Sequence, residues 1–306
     1  MIQTMLATTR DDGTDSLSVI AHPTRLKASL QLEFQKNPAT SRTVLTSSLQ
    51  EPPLRVVRAF PIEDGAVLCH LHNLSGGIFG GDALALSVRV GADANVQLTT
   101  TGATRIYRPR ENTAVATQHN QIHVEQNGLL EYVPDPLIPF AGSRFSQHTS
   151  ITLSSGAGLF WWEILAPGRE ARGEIFQYES LEMKMDIAAE GRPVAAERIR
   201  LEPQKHDLSS LARFGIYRYY ATFSVCREGF SARTWLDAED QLRRTTTELS
   251  RPGETLWGVS TLISHGLVFR CLALHSRDVL TGLHSIWQAS KLLLYGRNAV
   301  PPRKMN

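Results

Sequence analysis

The sequence predicts a mainly β protein, its strands numerous enough to stack as a β-solenoid or as wrapped sheets, with two α-helices late in the chain. Three observations carry this. Short runs with an apolar residue at every second position recur over most of the chain, the period of half-buried strands. Gly, Pro or Asn break these runs, in a chain that holds 22 Gly and 15 Pro. Helical spacing appears only in two segments beyond residue 230.

Residues 1–24 are rich in Thr, Asp and Ser without strong periodicity and read as a flexible lead, and residues 25–306 read as the domain. Leu26 to Phe34 and Thr43 to Leu49 are the first strands, joined by the Asn37-Pro38 turn. After Glu51-Pro52-Pro53 come Leu54 to Phe60 and Ala66 to His72. Asp82 to Val90, Asn95 to Thr101, Thr113 to Glu125, Leu129 to Val133, Phe145 to Leu153 and Leu159 to Leu165 continue the pattern. Pro134, Pro136 and Pro139 mark an extended stretch unsuited to a central strand, because proline cannot donate to a ladder.

Phe176 to Tyr178, Leu181 to Ile187, Val194 to Leu201 and Ile216 to Val225 follow. The first helix is expected at Trp235 to Leu249, ending before Arg251-Pro252-Gly253. A β pair, Leu256 to Ile263 and Leu267 to His275, leads into a second helix with Ser276 as N-cap, Asp278 in its first turn and Gly296 past its end.

With 306 residues and 42% hydrophobic content the chain can bury a large core. Thirty-two basic against thirty acidic residues, with no basic block, argue against a nucleic-acid partner. Cys69, Cys226 and Cys271 lie far apart without C-x-x-C spacing, which fits a reducing compartment. No basic n-region precedes an apolar run and no apolar stretch nears about 20 residues, so neither a signal peptide nor a membrane span is expected, and the cytoplasm is the expected location.

The densest motif is Ser75-Gly-Gly-Ile-Phe-Gly-Gly-Asp82, in which Gly76, Gly77, Gly80 and Gly81 precede one carboxylate, Asp82. Four glycines permit two tight reversals and close backbone approach. A strand follows, so this is neither a Walker loop nor a dinucleotide fingerprint, both of which open a helix. His70 and His72 share a strand face about 6.6 Å apart and lack a visible third ligand, while His119 and His123 stand about 13 Å apart, too far to chelate together. Several carboxylates sit beside turns: Asp82, Glu163, Glu174 and Glu197. Such hard oxygen ligands suit weak binding of a hydrated divalent ion, although carboxylates near turns more often satisfy backbone N–H groups or pair with arginine, here Arg169 and Arg172. No nucleophile elbow is present, and Phe160-Trp161-Trp162 reads as core.

The ordered motifs resemble the UreD (UreH) family of urease accessory proteins. The resemblance rests on Pro53-Leu54 through Phe60, the glycine motif, Leu98-Thr-Thr-Thr-Gly-Ala-Thr-Arg-Ile-Tyr-Arg108 with its Tyr107, and Leu130-Glu-Tyr-Val-Pro-Asp-Pro136 with Phe140-Ala-Gly142. Trp162-Glu163, Gly168-Arg169, Gly173-Glu174-Ile-Phe176, Glu197-Arg198 and Pro301-Pro302-Arg303 complete it. Thr101 and Lys304 depart from the pattern, which often carries Gln and Trp there.

The resemblance implies β-helical character and a non-catalytic scaffold that binds apo-urease with UreF and the GTPase UreG, a dimer within that complex being left open. It implies no permanently bound cofactor and a transient passage of nickel, for which Asp82, Glu163, Glu174 and Glu197 are the candidate lining. Trp287, Leu293 and Leu294 of the last helix are the expected docking surface, because they exceed one narrow core face. The alternative is a small-substrate enzyme that uses the glycine turn and Asp82, which would need a second group of perturbed pKa beside that carboxylate.

Overall fold

The computed structural model describes residues 26–302. The predicted lead and the end of the Pro301-Pro302-Arg303 tail lie outside these residues. Two antiparallel pairs come first: β1 (Lys27–Lys36) with β2 (Thr43–Gln50), and β3 (Leu54–Pro61) with β4 (Val67–Asn73). Then follow β5 (Ala83–Val90), β6 (Asn95–Thr100), β7 (Thr104–Ile106), β8 (Ala116–Val124), β9 (Leu129–Tyr132), β10 (Leu137–Pro139), β11 (Arg144–Leu153) and β12 (Gly158–Leu165). The chain ends with β13 (Ser180–Ala189), β14 (Arg192–Leu201), β15 (Tyr219–Arg227), α1 (Ala232–Leu249), β16 (Thr255–Thr261), β17 (Gly266–Ala273) and α2 (Ser276–Tyr295).

Two mixed, open sheets face one another. One has seven strands in the order β14-β13-β11-β8-β5-β1-β2; the other has ten, with the main path β16-β17-β15-β12-β9-β6-β4-β3. From β5 to β12 the chain alternates between them, and successive visits to one sheet lie side by side and parallel. The short strands β7 and β10 pair parallel with each other, and β10 joins them to β12 of the ten-stranded sheet. The parallel winding makes the middle of both sheets, and the outer pairs are antiparallel, so the sheets are mixed and open. Among the described residues no helix is long and apolar enough to cross a membrane.

Alternation sorts the side chains. Leu32, Val88, Ile122, Ile151 and Ile187 form one inward row across the seven-stranded sheet, opposite Val67, Val96, Leu98, Leu130, Leu159 and Trp161. The central strands of the ten-stranded sheet are buried on both faces, because α1 and α2 pack outside it on Phe160, Trp162, Phe223 and Phe269. That double burial explains the nearly unbroken apolar run of β12. All three cysteines are free and buried, and burial pushes the Cys69 and Cys226 thiols up to about 12.

The helices differ from expectation at their starts. α1 begins at Ala232, three residues before Trp235, with the Ser231 hydroxyl accepting from the Thr234 amide at 3.1 Å. For α2 the N-cap position belongs to His275, and Ser276 is the first helical residue. Gly296 closes α2 with φ of 62°. Phe176 to Tyr178 is not a strand: Phe176 takes φ of 53°, which breaks extension, and Tyr178 turns into the core. The proline stretch contributes β10, a three-residue strand off the main path.

Candidate functional site

The glycine turn is built by two different constraints. Gly76 and Gly81 adopt φ of 77° and 86°, the left-handed region that side chains disfavour. Gly77 and Gly80 are needed for space: a Cβ on Gly77 would lie 2.4 Å from the Tyr107 ring, and one on Gly80 would lie 2.5 Å from Pro109. Tyr107 stacks on Phe79 at 4.6 Å and meets Phe140 edge-on at 4.9 Å. Asp82 is buried, and its carboxylate accepts from the Phe79 amide at 2.9 Å, so it closes the turn from within. Burial raises the Asp82 carboxyl above its ordinary range, and the Phe79 hydrogen bond partly offsets this.

Beside this turn lies a cavity of about 300 Å³ lined by Leu71, Gly76, Gly77, Thr100, Gln118 and Tyr132 among others. Gln118 of its lining belongs to a polar band that interrupts the apolar packing between the sheets. Inward positions of β8 and β11, apolar at both ends, carry Gln118, Asn120, Gln147 and Thr149 at their middles. Gln118 donates to Asn120 at 3.0 Å, and Asn120 donates to the Thr149 hydroxyl at 3.0 Å. Gln147 donates to Glu163 on β12 at 2.5 Å. Across the same register run Glu163, Thr222 and Arg270 of the ten-stranded sheet, and Arg270 pairs with Glu197 of β14 in the facing sheet.

Charge in this band is sparse and poorly compensated. Burial chiefly pushes the Glu163 carboxyl up to about 7, hydrogen bonds from Gln147 and Trp161 pull it back, and the nearby Glu197 charge raises it again. Tyr132, stacked on Trp161 at 4.0 Å, is raised by burial and by Glu163; Tyr220 is raised by burial and by Glu197. The Thr222 and Ser224 hydroxyls, on inward positions of β15, are buried without a hydrogen-bond partner among the described residues. Along the seven-stranded face Met185 stands between Thr149 of β11 and Glu197 of β14.

The four carboxylates singled out from sequence therefore part company. Glu163 and Glu197 share the inter-sheet band. Asp82 lies in the turn, next in the ladder to Thr117, whose amide its backbone carbonyl accepts at 2.8 Å. Glu174 is held elsewhere: the Arg169 guanidinium takes both of its oxygens and keeps its carboxyl below the usual range, and Ala141 donates to it at 3.2 Å. Arg169 also lies over Phe140 at 4.2 Å, which makes Glu174 part of the support around Tyr107.

The amides and hydroxyls of the band, and Arg270, were not foreseen. Their signal was available: each is polar yet in phase with inward apolar neighbours, as Arg270 is with Val268 and Leu272.

His70 meets Phe60 edge-on, and burial together with His70 holds His72 below its ordinary value. His119 lies beside His148 on the outer face of the seven-stranded sheet. Among the described residues no group of three or more His, Cys, Asp or Glu stands close enough to hold a metal.

The expected docking surface needs correction. Trp287 and Leu294 are buried against the ten-stranded sheet, because α2 lies on that sheet with α1 beside it and so needs a wide apolar face. Leu293 remains exposed, with Leu292 beside it.

Comparison with known proteins gives one consistent result. The family model described as UreD urease accessory protein matches residues 26–306. Urease accessory protein UreD of Herpetosiphon aurantiacus is 44% identical over 281 residues, covering 92% of this chain and 97% of that protein. Urease accessory protein UreD of Pseudomonas fluorescens is 34% identical, covering 91% and 94%, and UreD 2 of Brucella abortus is 30% identical, covering 86% of each.

Proposed function

The chain belongs to the UreD family of urease accessory proteins, and from that membership we propose that it serves urease maturation as a non-catalytic scaffold. It binds apo-urease together with UreF and the GTPase UreG, and it lets nickel pass toward the urease active site.

The observation that supports the passage is the polar band between the sheets, which leads from the cavity beside the glycine turn to Glu163 and Glu197. A conduit must hold its ion weakly at each step, or the ion does not leave. Scattered amides, hydroxyls and two carboxylates with water meet that need, whereas clustered thiolate and imidazole would trap nickel. The buried thiols are far from ionising at neutral pH, since Cys69 and Cys226 titrate near 12. Asp82 and Glu174 then support the turn at the entrance instead of lining the route.

In cells carrying a complete urease cluster at limiting nickel, the Glu163→Gln/Glu197→Gln chain is expected to assemble with its partners as the parent does. Nickel per urease and urease activity should both fall at least about tenfold, since two of the few charged ligands are lost. Undiminished nickel content in the double variant would refute the passage.

Docking of a UreF-type partner is assigned to the exposed end of α2. Leu293→Asp is expected to leave the thermal midpoint within about 2 °C and to abolish co-purification with that partner, as an apolar anchor replaced by a charge does. Retained co-purification would move the interface elsewhere.

A further inference from the structure

Arg270 occupies an inward position on β17 between Val268 and Leu272, where the alternation calls for an apolar side chain. It stands opposite Thr222, which in turn stands opposite Glu163. Its guanidinium crosses the gap between the sheets to Glu197. The Glu197 side chain is 15% exposed and that of Arg270 is 47% exposed, so the carboxylate lies inside and the cation reaches in from the rim. The band thus holds the carboxylates of Glu163 and Glu197 and the guanidinium of Arg270, and that guanidinium serves Glu197, while Glu163 is met by neutral donors, the Gln147 amide and the Trp161 indole. Beside them the buried Thr222 and Ser224 hydroxyls have no hydrogen-bond partner among the described residues.

We infer that Arg270 is a resident cation that holds Glu197 in place of a divalent ion, so that nickel must displace a tethered guanidinium to reach the Glu163–Glu197 end of the band. A guanidinium cannot lose its charge at physiological pH, and its half-exposed head can turn to water without unfolding anything. Competition of this kind keeps the ion's residence short and returns the carboxylate to a neutral pair once the ion has left. Thr222 and Ser224 supply neutral oxygens to the ion while Arg270 is displaced. The inference rests on the reading of the band as a nickel passage.

The test is nickel(II) chloride binding to the purified full-length chain at pH 7.5, by titration calorimetry or equilibrium dialysis. Arg270→Gln is expected to bind nickel at least about tenfold more tightly than the parent, because a competing charge a few ångströms away has gone. Arg270→Lys keeps the charge without the planar fork and should fall between the two, which preserves the comparison if the glutamine variant does not fold. Arg270→Gln/Glu197→Gln should return to the parent's weak binding. Equal nickel affinity in the parent and both single variants would overturn the inference, and so would a gain that survives loss of Glu197. A guanidinium that merely staples the two sheets would lower the thermal midpoint and leave nickel affinity unchanged. Failure of the passage itself shows separately, as normal urease loading by Glu163→Gln/Glu197→Gln.

Discussion

Lys291→Met is expected to destabilise the chain by about 3–5 kcal/mol at neutral pH, as removal of one partner from a buried ion pair does. Lys291 donates to Glu131 at 2.7 Å, and the Trp287 indole donates to the other oxygen of the same carboxylate at 2.7 Å. Both side chains of the pair are under a tenth exposed, between α2 and the outer face of β9. Burial raises the Glu131 carboxyl and Lys291 is the chief counterweight, so without the ammonium the carboxylate must either stay buried with one neutral donor or take up a proton. The loss measured by chemical denaturation should therefore shrink as pH is lowered, because a protonated Glu131 needs no counterion. Glu131→Gln/Lys291→Met removes the charge from both sides, keeps an acceptor for Trp287, and should recover most of the stability. A loss below about 1 kcal/mol for the single variant would mean that α2 is held by its apolar face alone.

That pair also shows where sequence reading stops. Lys291 and Trp287 lie on one helix and Glu131 is 156 residues from Trp287, and nothing local to either segment joins them. Features set by local chemistry were legible: the alternation that gives the strands, the glycine turn, the arrest of α2 at Gly296, and the late position of both helices. Features set by the partner surface were not. The apolar excess of α2 read as a docking face, yet it belongs to a helix packed on two sides, and Trp287 and Leu294 are interior. Likewise Glu163, Glu174 and Glu197 look alike beside their turns, but the winding places two of them between the sheets and leaves the third to Arg169. The polar positions of β8, β11, β15 and β17 gain meaning only when the coils are stacked and their inward rows coincide.

Glu163 gives the second large effect, and its sign follows from the direction of its shift. The carboxyl titrates at about 7 in the fold against an ordinary 4.5. Between those values the folded chain holds a proton that the unfolded chain has released, so stability falls as pH rises through this window and levels off above it. Glu163→Gln keeps the shape and cannot ionise. The variant should therefore match the parent near pH 4 and exceed it near pH 8, by up to about 3 kcal/mol if no other group compensates. Chemical denaturation of both proteins from pH 4 to 8.5 checks this, and parallel curves across the window would show that Glu163 is charged throughout at no expense to the fold.

The same proton bears on the proposed nickel passage. A divalent ion binds the carboxylate and not the acid, so nickel entry should release a proton from Glu163 and strengthen with rising pH over the window in which the empty fold weakens. On the proposed passage, an empty band is most comfortable neutral and a loaded one charged, and the ion would add charge compensation to the neutral donors Gln147 and Trp161 that Glu163 already has. Proton release measured by calorimetry in buffers of different ionisation enthalpy should be present in the parent at pH 6.5 and absent in Glu163→Gln; equal release in both would assign the proton to another group.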